Sequence, residues 1–247
     1  MLTETAAYFH QRSRVLPMPA KATTAPTLRD LFARQASETH LAGEALFWEG
    51  DPAGQVFEIV GGLVRIFRVL PDGRRAIMGF IYPGDVLGVS HHSLHAYTAE
   101  AVTDVKVRRF PRSRFFASVD DSETLRPQLF ALLCDEMSAA QEQMLLLGRK
   151  SAEERVISFL LAVNRKSGVG HRIELSMSRL DIADCLGLTI ETVSRTMTSL
   201  ARRGLIGLEG RHEVILRKLG TLRKLSCGDD MDAGREAAAP RAAVWPH

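Results

Sequence analysis

The chain has 247 residues, 45% of them hydrophobic and 25% charged, with a formal net charge of +3. That is enough apolar material for one core of fair size and a second small one. No apolar run is long enough to span a bilayer and the N-terminus carries no signal-peptide pattern, so a cytoplasmic protein without a membrane partner is expected.

Residues 1–26, with Pro17, Pro19 and Pro26, read as a poorly ordered tail. Residues 27–124 read as a small all-β unit. Gly50, Gly61-Gly62, Pro71-Asp72-Gly73 and Pro83-Gly84-Asp85 are turn signals at spacings of roughly ten residues. Between them Val56–Val60 and Leu63–Val69 are rich in β-formers, which predicts a sandwich or roll.

Residues 125–149 predict one long helix. Phe130, Leu133, Met137, Ala140, Met144 and Leu147 are spaced 3, 4, 3, 4, 3, a heptad seam covering about 27 Å. Such a stripe can pack on the chain's own β-unit or on a second copy. The homodimer is favoured if the chain also carries a helix that has to be presented twice.

Residues 150–225 read as a winged helix-turn-helix. Ser178 is an N-cap, Ile182, Ala183 and Leu186 give the first helix an inward face, and Gly187 marks a stop and turn. Thr189 then caps a second helix in which Ile190, Val193, Met197 and Leu200 recur at helical spacing. Glu191, Ser194, Arg195, Thr198 and Arg202 fall on the other side. Arg195 can donate two bonds to a guanine, Glu191 can accept from a cytosine amino group, and Ser194 can meet an edge or a thymine methyl. Glu191 and Arg195, four apart, could equally form an ordinary surface pair. Gly204–Glu209 and Glu213–Leu216 flank Gly210-Arg211 as a two-stranded wing. Thr189, Thr192, Thr198, Arg202 and Arg211 are candidate DNA-backbone contacts, and Arg203 is another; solvated surface charge is the other reading of the arginines. Residues 226–247 read as a second tail.

Charge supports the nucleic-acid reading. Residues 165–224 hold 12 Lys and Arg against 6 Asp and Glu, whereas 1–164 hold 18 against 19 and 225–247 hold 2 against 4. The basic excess lies where phosphate attraction would use it.

The run Leu186-Gly187-Leu188-Thr189-Ile190-Glu191-Thr192-Val193-Ser194-Arg195 closely resembles the recognition segment of the CRP/FNR superfamily of bacterial transcription regulators. Its Glu-x-x-Ser-Arg pattern is that of the FNR branch, and Thr196-Met197-Thr198 looks most like the FixK type. The glycine register of the β-unit extends the resemblance to roughly residues 28–220. It implies an α+β fold, with an N-terminal β-roll of double-stranded β-helix or jelly-roll type, a dimerisation helix and a C-terminal winged helix-turn-helix. It also implies base contacts by Glu191, Ser194 and Arg195 on an inverted repeat like TTGAT-N4-ATCAA. The implied role is activation through contact with RNA polymerase, at genes of microaerobic respiration or nitrogen fixation. The roll loops near Gly73 and Gly84 are candidates for that contact.

Sensor residues of the relatives are missing. Cyclic-nucleotide-binding members carry a glutamate after the glycine matching Gly88, and an arginine with a hydroxyl residue for the phosphate. Here Val89 follows Gly88, and those positions fall near His95 and Ala96. Cys134, Cys185 and Cys227 are at least 42 residues apart, unlike the short spacings of most iron–sulfur sites. No cofactor or metal is therefore expected, and activity is expected to follow the amount of protein.

Cys185 lies off the packed positions of its helix, near the side expected to face DNA. Cationic neighbours there could make it a redox modulator; an inert exposed thiol is the other reading. His91, His92 and His95 read as polar surface rather than ligands. Two alternatives stand beside a regulator set by its amount. One is an effector-gated regulator of the same fold, responding to nitric oxide or another small ligand. The other is an enzyme carrying a regulatory roll, for which no nucleophile–base pair, phosphate loop or metal constellation is found.

Overall fold

The computed structural model describes residues 26–90, 92–167, 170–210 and 212–227. The expected tails therefore lie almost wholly outside the described residues, as do Arg211 and His91.

A 3-10 turn at Leu28–Leu31 leads into eight strands: β1 (Ser37–His40), β2 (Ala45–Phe47), β3 (Gln55–Gly61), β4 (Val64–Val69), β5 (Arg75–Ile81), β6 (Val86–Leu87), β7 (Thr98–Ala101) and β8 (Val105–Pro111). They form two antiparallel four-stranded sheets, ordered β1-β8-β3-β6 and β2-β7-β4-β5. Phe47, Phe57, Ile59, Val64, Val105 and Val107 are buried in one cluster of this roll. Gly62 makes the β3–β4 turn at φ 84°, and a Cβ there would sit 2.3 Å from the Asp104 carbonyl oxygen. No other residue fits that corner.

Helices α1 (Arg112–Asp120), α2 (Leu125–Arg149) and α3 (Ala152–Ser167) follow, and α1 and α3 were not read from the sequence. Leu125, Leu129 and Leu132 of α2 pack on the roll with Phe32 and Phe115. Leu146 packs instead against the C-terminal core. The heptad positions are open to a second copy: Phe130 is 70% exposed, Met137 57% and Met144 66%, and Leu133, Ala140 and Leu147 are exposed too, although a Leu147 methyl also borders Gly187.

The C-terminal module comprises β9 (Arg172–Glu174), α4 (Arg179–Leu186), α5 (Ile190–Arg202), β10 (Ile206–Glu209), β11 (Glu213–Leu216) and α6 (Leu219–Ser226). Its sheet has three strands, ordered β10-β11-β9, where the sequence suggested two. Strand β9 pairs Arg172, Ile173 and Glu174 with Ile215, Val214 and Glu213. Val156, Leu160, Ile182, Val193, Leu200 and Val214 share a core that continues to Leu63, Phe80 and Tyr82 of the roll. Roll and module are thus joined by one apolar body. No helix among the described residues is long and apolar enough to cross a membrane.

Candidate nucleic-acid interface

Helix α4 begins with a complete capping box. The Ser178 hydroxyl accepts from the Asp181 amide at 3.0 Å, and Asp181 Oδ2 accepts from the Ser178 amide at 3.1 Å and its hydroxyl at 2.7 Å. Two amides that the helix leaves without partners are thereby satisfied. The helix ends at Gly187, which sits in the left-handed region at φ 61°. A Cβ there would lie 3.5 Å from Arg155 Nη1 and from a Leu147 methyl, so conformation rather than space favours glycine. Ala183 is 1% exposed, and its small side chain lets the two helices cross closely.

Thr189 caps α5 by accepting from the Thr192 amide at 3.2 Å. Val193, Met197 and Leu200 are fully buried, which fixes the rotation of the helix. Glu191, Ser194 and Arg195 consequently stand together on the exposed face. Ser194, Arg195, Thr198 and Arg202 line one open groove of about 540 Å³. Ile190, expected on the packed side, is 40% exposed instead. At the first position of α5 it has turned past the core, and it presents an apolar side chain at the N-terminal end of the helix.

Glu191 is held below the usual carboxylate range by its own backbone amide first, then by the Thr189 hydroxyl and the Arg195 charge. It is therefore an ionised acceptor at neutral pH. Glu191 and Arg195 interact through their charges without closing to a salt bridge, and both side chains are exposed. Among the candidate backbone contacts, Thr198 donates its hydroxyl proton to the Ser194 carbonyl at 2.9 Å. The Thr189 and Thr192 hydroxyls lie 3.0 Å apart and bond to each other. The Thr198 hydroxyl, and whichever of Thr189 and Thr192 donates in their shared bond, must rotate before donating to a phosphate. Arg202 and Arg203 are both exposed, and Arg203 pairs with Glu153 at 2.6 Å.

The C-terminal end of α4 rests on side chains that the sequence did not single out. Arg155 donates to the carbonyls of Leu186 (2.9 Å), Leu147 (2.8 Å) and Lys150 (2.9 Å), so one cation serves the ends of both α2 and α4. Gln143 of α2 donates to the Cys185 carbonyl at 2.9 Å.

Cys185 corrects the sequence reading. It is 7% exposed and packs on Phe67, Ile77 and Phe80 of the roll, rather than facing DNA among cations. Burial, with a contribution from the Asp184 charge, pushes its thiol up to about 12. The spacing of the packed positions turns Cys185 away from α5, but the roll covers the face that α5 leaves open. A thiol so placed is protonated and shielded, the opposite of a poised redox group.

His95 is a second correction. It is 7% exposed and stacks on Phe47 with ring centroids 3.6 Å apart, while His92 is exposed as expected. Burial lowers its pKa, helped by the Arg112 charge and opposed by Asp51. His95 lines a cleft of about 460 Å³ with Glu38, His40, Asp51 and Arg109. Arg109, the lining guanidinium, faces Glu38 at 3.5 Å. Two carboxylates and an engaged arginine do not suit an anionic ring phosphate. Calorimetric titration with cAMP or cGMP is expected to show no saturable heat at micromolar concentration, and a saturable isotherm would reverse that conclusion.

A capped helix-turn-helix with a sheet wing, carried on a roll and a long helix, defines a DNA-binding transcription regulator. Residues 154–225 match the Crp-like helix-turn-helix domain and residues 38–122 the cyclic nucleotide-binding domain. The chain belongs to the CRP/FNR family of transcription regulators. It is 42% identical to the nitrogen fixation regulation protein FixK of Azorhizobium caulinodans, over 84% of this chain and 82% of that one. It is 35% identical to the transcriptional activator protein FnrL of Cereibacter sphaeroides, over 79% and 82%. The solved structure of FixK2 from Bradyrhizobium japonicum superposes with a TM-score of 0.75 at 38% identity, covering 83% of this chain and 99% of that one. These relatives are regulators, and the chain is not an enzyme.

Proposed function

We propose that the chain is a cytoplasmic, homodimeric activator of the FixK type that reads a TTGAT-N4-ATCAA-like palindrome through Glu191, Ser194 and Arg195. The observation that carries this reading is the division of α5 into a fully buried face and an exposed face bearing those three side chains. Arg195 would take the guanine, Glu191 the cytosine amino group opposite, and Ser194 an edge or methyl. Exposed Ile190 adds an apolar surface suited to a thymine methyl. Thr189, Thr192, Thr198, Arg202 and Arg211 would contact phosphates, and the exposed α2 seam would pair the two copies.

FixK and FnrL, named for nitrogen fixation regulation and transcriptional activation, support an activator with targets in nitrogen fixation, and the FNR-branch resemblance adds microaerobic respiration. Activation would run through RNA polymerase at the roll loops. The turn around Gly73 is the more open of the two candidates, with Val69 58% exposed beside it. At Gly84 the loop is tied down by Arg29, which donates to its carbonyl at 2.7 Å.

The test is titration of purified protein, without additives, against the palindrome and against a duplex with one half-site scrambled. Tight binding to the first and a loss of about a hundredfold or more on the second is expected, within the range that separates specific from non-specific sites. Equal binding to both would overturn the proposal.

A further inference from the structure

Helix α4 is gripped at its other end by the roll. Asp181 is 3% exposed, and its two oxygens do different work. Oδ2 completes the capping box, while Oδ1 accepts from Arg65 Nη1 of β4 at 2.9 Å and faces Arg75 Nη2 of β5 at 3.4 Å. Arg75 also reaches Asp184, one helical turn on, at 3.5 Å, and its guanidinium lies over the Phe67 ring. Arg65 is itself set by a close ion pair with Glu100 on β7. Cys185 then fills the apolar gap among Phe67, Ile77 and Phe80.

We propose that Arg65 and Arg75 are positioning residues for DNA reading: they clamp the N-terminal end of α4 to the roll, and so fix the direction in which α5 points from each protomer. The inference rests on the palindrome reading above. With Arg155 and Gln143 at the C-terminal end, the clamp leaves α4 no independent rotation. Helix α5 packs directly on α4, and Ala183 shares one buried cluster with Val193, Met197 and Leu200, so α5 inherits that orientation. A dimer built this way presents two reading helices at one separation without waiting for a ligand. An ordinary stabilising ion pair would raise the melting temperature. A clamp also sets how strictly the spacing of the half-sites is enforced.

The experiment uses full-length protein carrying Cys134→Ser and Cys227→Ser, which leaves Cys185 as the one thiol. Labelling of Cys185 by N-ethylmaleimide reports opening of the clamp, because the roll covers that side chain. Binding is measured on the palindrome and on the same palindrome with one base pair added to the spacer, which moves the half-sites apart by about 3.4 Å and turns them by about 35°.

Arg75→Glu sets a third carboxylate against Asp181 and Asp184. It should raise the labelling rate by about tenfold or more and weaken native-spacer binding by about tenfold. The penalty for the added base pair should shrink to a few fold, with discrimination within TTGAT unchanged. Arg75→Ala should move each quantity in the same direction by less, and Arg65→Ala provides an independent check from β4. An unchanged labelling rate and unchanged spacer penalty would overturn the proposal, as would tighter binding to the native site, which would mean that the clamp holds the module off DNA. If the parent ignores the palindrome, the reading function fails while the labelling rates still judge the clamp.

Discussion

Met137→Glu should convert the dimer into a monomer. Met137 lies mid-seam and 57% exposed on the single chain, so in the dimer it meets its own symmetry mate or its neighbours Leu133, Ala140 and Met144. A carboxylate there would be buried without a partner in each copy, at a cost of about 3–5 kcal/mol. Counted once for the pair, that cost corresponds to a dimer dissociation constant raised by about two to four orders of magnitude. Sedimentation equilibrium should find 27.3 kDa where the parent gives twice that mass. The fold should survive, because the side chain is solvated in the monomer, and thermal melting checks this. Palindrome binding should fall to that of a half-site. A Met137→Glu protein that sediments as a dimer would show that the seam is not the interface.

Arg195→Ala should lose affinity and base discrimination together. One bidentate arginine–guanine contact is worth about 1–3 kcal/mol, and the dimer makes it twice, so the palindrome should be bound about 30-fold to 10⁴-fold more weakly. The crossed measurement is more telling. Replacing the guanine in TTGAT should penalise the parent heavily and Arg195→Ala hardly at all. Lys in place of Arg195 should recover part of the affinity through its charge and little of the guanine preference, since it lacks the planar fork. If Arg195→Ala still distinguishes the guanine as the parent does, another side chain reads that position.

The helix-turn-helix was legible because its signals are local. The Ser178 and Thr189 caps, the left-handed Gly187 and the spacing of Val193, Met197 and Leu200 each depend on residues within a turn of one another. What escaped depends on the fold as a whole. Asp181 and Cys185 look like the free side of a short amphipathic helix, and only the approach of β4 and β5, more than a hundred residues earlier, buries them. Arg155 gives no sign in the sequence that it will serve two helix ends. Strand β9 is three residues long, too short for alternation to show, so the wing read as two strands. Ile190 keeps the helical spacing of the core positions, but at the mouth of α5 there is no facing element left to cover it. His95 sits in a polar-looking loop and stacks on Phe47, which comes from the distant strand β2.

The divided duty of the Asp181 carboxylate bears on how such proteins can be recombined. One oxygen belongs to the helix-turn-helix and the other to the roll, so the DNA-reading unit is not a cassette that ends at its own sequence boundary. Grafting residues 150–225 onto a foreign roll would keep the capping box and leave the second oxygen facing whatever that roll supplies. A chimera that carries the arginines of β4 and β5 along with the graft should keep the geometry of the parent. One that omits them would inherit the reading residues without the bearing that aims them.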